Sequence, residues 1–377
     1  MKSMQNYLMA ALILSGLGAY GVDEDVGGGD NDGLNSKNKV APLLSKADPE
    51  VAERMPPELK NIRLEHDYIE VMSDDYEMGD WQESPSKIIF HNGMYHMWII
   101  DIPQGSVPTA GTGKTKKVES VTTYMNSKNG KLWFDRGKLP LGKAGTIDDA
   151  ERLAPDVIKH DGRFYLFYEP MTSNAKDYRQ RRCGIAALVA EQPEGPWTYA
   201  HEGLLLVPEI DDPEAWDHLF VANPRIEYFN GKWFMYYKGK GLASTKTLNG
   251  VATSDNLLGP YTKYKGNPLM GGHSANLVKY KNGLIYMNYH KHAFYWTEDG
   301  FTFTLIKKFG RGSGMAEDMN WSSFWLPNNP LYGGDPSRPD ATELWGVSSR
   351  WAYQSEGYRK DVNNNDIIGA KLVIGAE

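Results

Sequence analysis

Between residues 84 and 289 one pattern of hydrophobic and polar positions recurs four times, over 84–98, 154–168, 223–237 and, more loosely, 274–289. Each copy sets a short polar pair between two runs rich in aromatic and β-branched residues. The pairs are Asn92-Gly93, Asp161-Gly162, Asn230-Gly231 and Asn282-Gly283. Such pairs accept positive φ at both turn positions and are the strongest short-range signal for a β-hairpin. Prolines 85, 155 and 224 open three of the copies; at the start of a strand a proline costs no needed ladder donor. A second strand pair follows each hairpin, over 122–134, 184–199, 250–264 and 294–305, two of them turning at Gly195-Pro196-Trp197 and Gly259-Pro260-Tyr261. Four strands per unit, repeated every ~40–70 residues, predict propeller blades.

A fifth unit is expected in 321–377, with strands at 343–350 and 367–374. The expected fold is therefore all-β, a five-bladed β-propeller over 62–377. Helical signal is thin. Residues 45–61 predict a short N-terminal helical extension, capped by Ser45 or Asp48 with acidic residues in its first turn.

The ends of the chain add a compartment. Lys2 precedes a short apolar run over 7–14, followed by small residues to Ala19. That reads as a signal peptide over 1–19, too short to span a bilayer, and predicts a secreted or periplasmic protein of bacterial type. Residues 20–44 are acidic, Gly-rich and nearly free of core formers, which predicts a disordered linker.

Composition then narrows the function classes. The 377 residues carry a formal charge of −7, with no basic stripe, which argues against nucleic acid as a partner. Cys183 is the single cysteine, so neither an intrachain disulfide nor a cysteine zinc cluster can form. The phosphate-binding, zinc-protease and serine-hydrolase motifs are missing, and neither a metal nor a cofactor is expected. Lys114, Lys116 and Lys117 mark a basic insertion in the first unit, placed to lie over the channel mouth and meet an anionic substrate.

Propeller topology supplies a shortlist for chemistry. The innermost strand of each blade starts at one rim, and the second strand ends at that same rim. The starts hold Trp81, Glu83, Asp156, Asn223 and His273; the ends hold Asp101, Glu169, Lys238 and His290. Cleavage of a glycosidic bond needs one group to protonate the leaving oxygen and another to activate water or attack carbon. Histidine near its ordinary pKa can serve as the acid. His273, Glu169 and Glu83 are the catalytic candidates. Asp156, Asn223, Lys238, His290, Asp101, Asp149 and Trp81 are the candidates for holding an oligosaccharide substrate.

Several stretches resemble glycoside hydrolase family 117, exo-enzymes that release 3,6-anhydro-L-galactose from agar oligosaccharides. The resemblance runs from about Ser45 to Phe303. It rests on residues 144–149 leading to Ala154-Pro155-Asp156, on Asn223-Pro224 leading to Tyr236-Tyr237-Lys238-Gly239, on residues 250–263, and on Gly272-His273. It implies an exo-acting hydrolase of marine galactan oligosaccharides, whether anhydro or sulfated. It also implies an N-terminal helical motif, at Leu44-Ser45-Lys46-Ala47 with Glu53-Arg54, that supports a domain-swapped homodimer; Pro49 interrupts that motif here. The catalytic positions depart from the family. The base is an aspartate before proline, where this chain has Ser84; a second aspartate becomes Asn223; and a His-Glu pair becomes His273-Ser274. The family's two sugar-binding residues of the second blade fall on Asp156 and Glu169. Two readings stay open, a hydrolase with redistributed carboxylates and a catalytically inactive carbohydrate-binding propeller.

Overall fold

Successive Asn-Gly and Asp-Gly pairs turn the chain back on itself as the pattern requires. In a computed structural model the described residues are 53–72, 81–102, 120–173, 184–244, 247–272, 275–289, 291–309, 315, 319–350 and 367–375. The expected signal peptide, the linker and the basic insertion at 114–117 lie outside them. Strand β1 (Arg63–Asp67) precedes the first blade. Blade 1 comprises β2 (Glu70–Met72), β3 (Trp81–Glu83), β4 (Ile89–His91), β5 (Met94–Ile102), β6 (Val121–Ser127) and β7 (Leu132–Lys138). Blade 2 is β8 (Glu151–His160), β9 (Arg163–Met171), β10 (Ala186–Ala190) and β11 (Thr198–Tyr199). Blade 3 is β12 (Phe220–Phe229), β13 (Lys232–Lys240), β14 (Leu248–Ser254), β15 (Thr262–Lys263) and β16 (Met270–Gly271). Blade 4 is β17 (Ala275–Tyr280), β18 (Gly283–Asn288), β19 (Ala293–Thr297) and β20 (Thr304–Lys308), and blade 5 holds β21 (Met319–Phe324), β22 (Glu343–Arg350) and β23 (Ile367–Val373). Each blade forms its own sheet, so the fold is a five-bladed propeller.

The outermost strand of blade 5 is β1, which pairs antiparallel with β23 from Arg63↔Val373 to Asp67↔Gly369. Among the described residues the first strand thus closes the ring against the last. The sequence pattern places all of blade 5 in 321–377, because β1 belongs to no hairpin and carries no turn signal. The helical turns expected within 45–61 are not supported. The described residues hold there two helical residues, Glu53 and Arg54, and a 3-10 turn, Pro57–Asn61, whose Leu59 is fully buried, and residues 45–52 lie outside them.

Three hairpins use the predicted pair as their two-residue loop. The φ values are 49° and 77° at Asn92-Gly93, 48° and 77° at Asp161-Gly162, and 49° and 76° at Asn230-Gly231. The fourth does not. Tyr280 pairs with Gly283, so the loop is Lys281-Asn282, and the glycine lies in β18. A Cβ at Gly283 would stand 2.4 Å from the Trp296 ring and 2.5 Å from the Thr297 carbonyl oxygen. That glycine serves close packing rather than a turn.

The prolines also sit differently from the expectation. Pro155 and Pro224 lie inside β8 and β12, at bulges where the ladder shifts between Leu153 and Asp156 and between Ala222 and Arg225. A bulge leaves a residue unpaired, so the missing proline N–H costs nothing there. The residue before each proline takes positive φ, 52° at Ser84, 49° at Ala154 and 51° at Asn223. A side chain in that region costs about 1–2 kcal/mol. The same strained kink is therefore built into the innermost strands of three consecutive blades.

Candidate active site

The kinks mark one end of each blade. Across them the ladder pairs Gln82 with Asp101, Leu153 with Glu169 and Ala222 with Lys238. Glu169 and Lys238 thus hold the same register position in blades 2 and 3, opposite the residue before the kink; the equivalent residue of blade 1 is Ile100, opposite Glu83, and Asp101 lies one residue further along β5 at the same end. The register brings these three sequence candidates to one rim. Glu169 is 1 % and Lys238 2 % exposed, while Asp101 is half-buried. Ile100, Leu153, Ala154 and Met171, from the same strand ends of blades 1 and 2, form one buried apolar cluster. The Lys238 ammonium sits 5.7 Å from the centre of the Phe220 ring. Asn223 is 6 % exposed at its kink. The backbones of Trp81 and Glu83 pair with Ile102 and Ile100. His273 and His290 lie outside the described residues.

Asp156 is drawn deeper. Its Oδ2 lies 2.7 Å from Lys87 Nζ and accepts from the Ile226 amide at 2.6 Å, with both ion-pair side chains almost fully buried. Lys87 also donates to the Ile226 carbonyl. One carboxylate and one ammonium therefore join the innermost strands of blades 2 and 3 to the chain of blade 1. Glu227, two residues beyond Arg225, is fully buried and accepts from Tyr332 Oη at 2.6 Å and Asn329 Nδ2 at 3.3 Å. Burial raises its pKa, with the Lys87 charge opposing. Lys87 and Glu227 escaped the sequence reading. The available signal was a charged residue at an inward position of an otherwise apolar innermost strand.

Asp149 has an architectural setting too. Its carboxylate accepts from the amides of Gly145 at 2.8 Å and Ser173 at 2.7 Å and from the Ser173 hydroxyl at 2.7 Å. Burial works against ionisation, yet these donors outweigh it and lower the pKa to about 2. Asp149 thereby ties the exit of β9 to the entrance of β8, beside Glu169.

Its neighbour Asp148 belongs to a motif that repeats one blade later. Asp148 accepts from Tyr168 Oη at 2.6 Å, twenty residues on, and from Tyr199 Oη at 2.6 Å. Asp217 accepts from Tyr237 Oη at 3.3 Å, again twenty residues on, and pairs with Lys263 at 2.8 Å. Tyr199 and Lys263 are equivalent positions, three residues after Pro196 and Pro260. Arg152 neutralises Asp148 from the innermost strand at 2.7 Å, whereas Lys263 neutralises Asp217 from the outer one. Among the described residues no group of three or more His, Cys, Asp or Glu gathers to hold a metal ion.

Comparisons place this arrangement among known proteins. No family model matches the chain. It is 27 % identical over 210 residues to extracellular endo-α-(1→5)-L-arabinanase 2 of Bacillus subtilis, covering 53 % of this chain and 41 % of that protein. The chain therefore spans about two fifths of the length of the curated relative it matches. Among solved structures it is similar to Zg3597, a family 117 glycoside hydrolase of Zobellia galactanivorans, with a TM-score of 0.65 and 18 % identity over 83 % of this chain and 91 % of that one. It is also similar to sucrose-6-phosphate hydrolase of Lactobacillus gasseri, with a TM-score of 0.55, 14 % identity, and coverage of 79 % and 61 %. A third is the α-L-arabinofuranosidase PaAbf62A of Podospora anserina, with a TM-score of 0.52, 9 % identity, and coverage of 83 % and 97 %. At these identities the structural likeness is one of fold.

Proposed function

We propose that this chain is a glycoside hydrolase, exo-acting on marine galactan oligosaccharides, with its chemistry at the channel mouth. The observation that supports the reading is the shared register of Glu169 and Lys238, with Asp101 at the same end of its own strand, in a fold that the glycoside hydrolases above also adopt. Hydrolysis asks for a proton donor and a carboxylate. In this proposal His273 protonates the leaving oxygen, and Glu169 or Glu83 activates water. Lys238, Asn223, Asp101, His290 and Trp81 hold the sugar. Asp156 and Asp149 support that set from behind, since each is committed to protein partners. The extracellular relative agrees with an exported protein.

A second reading, a sugar-binding propeller without turnover, is favoured by Ser84 and Asn223. Both keep the kinked backbone, yet neither brings the aspartate that the family resemblance calls for.

Incubation with agar, carrageenan, porphyran and arabinan oligosaccharides, followed by chromatography of released sugar, separates the two. Release from one of them, with Glu169→Gln losing about 10²–10⁴ in rate but retaining binding, supports the hydrolase. Binding without release selects the second reading, and neither binding nor release overturns both.

A further inference from the structure

A second recess opens on the flank of blade 2, outside the channel. It is an open cleft of about 320 Å³, bounded by the loop 140–146 on one side and by β10 and β11 on the other. Its floor is the Arg152 guanidinium, 5 % exposed, lying 5.5 Å from the Tyr168 ring and 5.7 Å from the Tyr199 ring. Arg152 Nε donates to Asp148 at 2.7 Å, and Nη1 donates to the Pro140 carbonyl.

The walls are built in advance. Gly142 N donates to the Asp148 carbonyl at 3.2 Å, and Thr146 donates twice to the Lys143 carbonyl, from N at 3.0 Å and Oγ1 at 2.7 Å. A Cβ at Gly142 would stand 2.1 Å from Asp148 Oδ1, so the loop approaches as closely as only a glycine allows. Opposite it, Tyr199 is held by its hydroxyl to Asp148 yet leaves 47 % of itself exposed, and Leu141 across the cleft is 43 % exposed. Trp197 backs that wall, edge-on to Trp98 with ring centres 5.7 Å apart.

The electrostatics select a ligand. The lining contains Lys143 and Arg152 and no acidic residue, in a chain whose formal charge is −7. Arg152 pairs with the Asp148 carboxylate beneath the floor, so the exposed cation of the lining is Lys143. An exposed aromatic face takes the apolar face of a pyranose ring, two threonine hydroxyls (Thr146 and Thr198) suit sugar hydroxyls, and an exposed ammonium suits an anionic substituent. Arg152 precedes Leu153, the pairing partner of Glu169, so the floor of the cleft is one residue along β8 from the proposed mouth.

We propose that this cleft is a second saccharide site, specific for an anionic sugar, that holds a distal unit of the chain bound at the mouth. The choice of sugar rests on the proposed function above; the cationic, aromatic cleft itself does not.

The test is calorimetric titration of the full chain, carrying Glu169→Gln to prevent turnover, with a sulfated carrageenan tetrasaccharide and its desulfated counterpart. Lys143→Gln is expected to weaken binding of the sulfated sugar roughly threefold to tenfold and to leave the desulfated one unchanged. Tyr199→Phe keeps the ring and is expected to keep affinity, while Tyr199→Ser lowers it about tenfold for both sugars. Thermal melts of each variant confirm the fold. Unchanged affinities in Lys143→Gln and Tyr199→Ser, with both variants folded, overturn the proposal. So does failure of the sulfated sugar to bind the parent chain. If the parent with Glu169 intact releases no sugar but the Lys143 and Tyr199 effects appear, the cleft stands and the hydrolase reading falls.

Discussion

Replacing Lys87 by methionine isolates the buried ion pair that joins three blades. The side chain is 3 % exposed and its Asp156 partner 0 %, with Nζ and Oδ2 2.7 Å apart. Methionine nearly preserves the volume but leaves the carboxylate with one remaining donor, the Ile226 amide at 2.6 Å. The other oxygen, Oδ1, is buried and has no hydrogen-bond partner among the described residues. Breaking such a pair from one side costs about 3–5 kcal/mol, because an uncompensated charge stays out of water. For a domain of this size that lowers the melting midpoint by roughly 5–10 °C. Guanidinium unfolding followed by tryptophan fluorescence reads the loss directly, with 11 tryptophans as reporters. The decisive comparison is the double variant Lys87→Met/Asp156→Asn, which removes both charges. It is expected to recover about half of the loss, since replacing a whole buried pair is far less costly than halving it. A Lys87→Met loss below about 1 kcal/mol, or a double variant that merely sums the two single losses, would refute the reasoning.

Two further outcomes follow from local geometry and from titration. Gly283→Ala is expected to cost about 1–3 kcal/mol, because its Cβ would stand 2.4 Å from Trp296 and 2.5 Å from backbone, so both must shift. Gly93→Ala has nothing within 4 Å but a φ of 77°, so it should cost about 1–2 kcal/mol for backbone reasons alone; urea unfolding of both, with Asn rescuing position 93 and not 283, checks the distinction. Acidification should loosen the seam between blades 1 and 2. His96 is 3 % exposed, with Nδ1 2.6 Å from Tyr124 Oη and Nε2 3.2 Å from the His91 carbonyl, and burial lowers the pKa of both histidines. The Lys159 ammonium, 3.3 Å from His91 Nδ1, also opposes protonation there, while Glu194, 3.2 Å from Tyr124 Oη, favours it at both rings. The unfolded chain binds these protons more readily. The stability is therefore present above about pH 6.5 and is lost as pH falls through the lowered folded values. The fall in melting temperature between pH 7.5 and 5.5 should shrink in His96→Gln, and an equal fall in both proteins would contradict the assignment.

The sequence by itself determined the repeat and therefore the fold. Asn92-Gly93, Asp161-Gly162 and Asn230-Gly231 each demand two successive positive φ values, a local requirement that no tertiary contact needs to supply. The matching of Glu169 with Lys238 was legible for a similar reason, because each lies the same distance along its strand from the turn, whereas Asp101 lies one residue further from Gly93 than that count gives. What depends on contacts between distant segments was not. The chain at residue 283 reads as a turn in every local respect, yet the Trp296 ring makes that glycine a packing residue and moves the turn to Lys281-Asn282. Asp156 reads as a rim carboxylate, and only the approach of Lys87 from 69 residues earlier, together with the Ile226 amide, turns it into an internal ion pair. Strand β1 shows no turn and no repeat; its place is set by the open edge of β23, which exists only once the ring has formed. Local backbone preference is written residue by residue, whereas the partner of a buried charge or of an open sheet edge is decided by which surfaces the closed ring brings together.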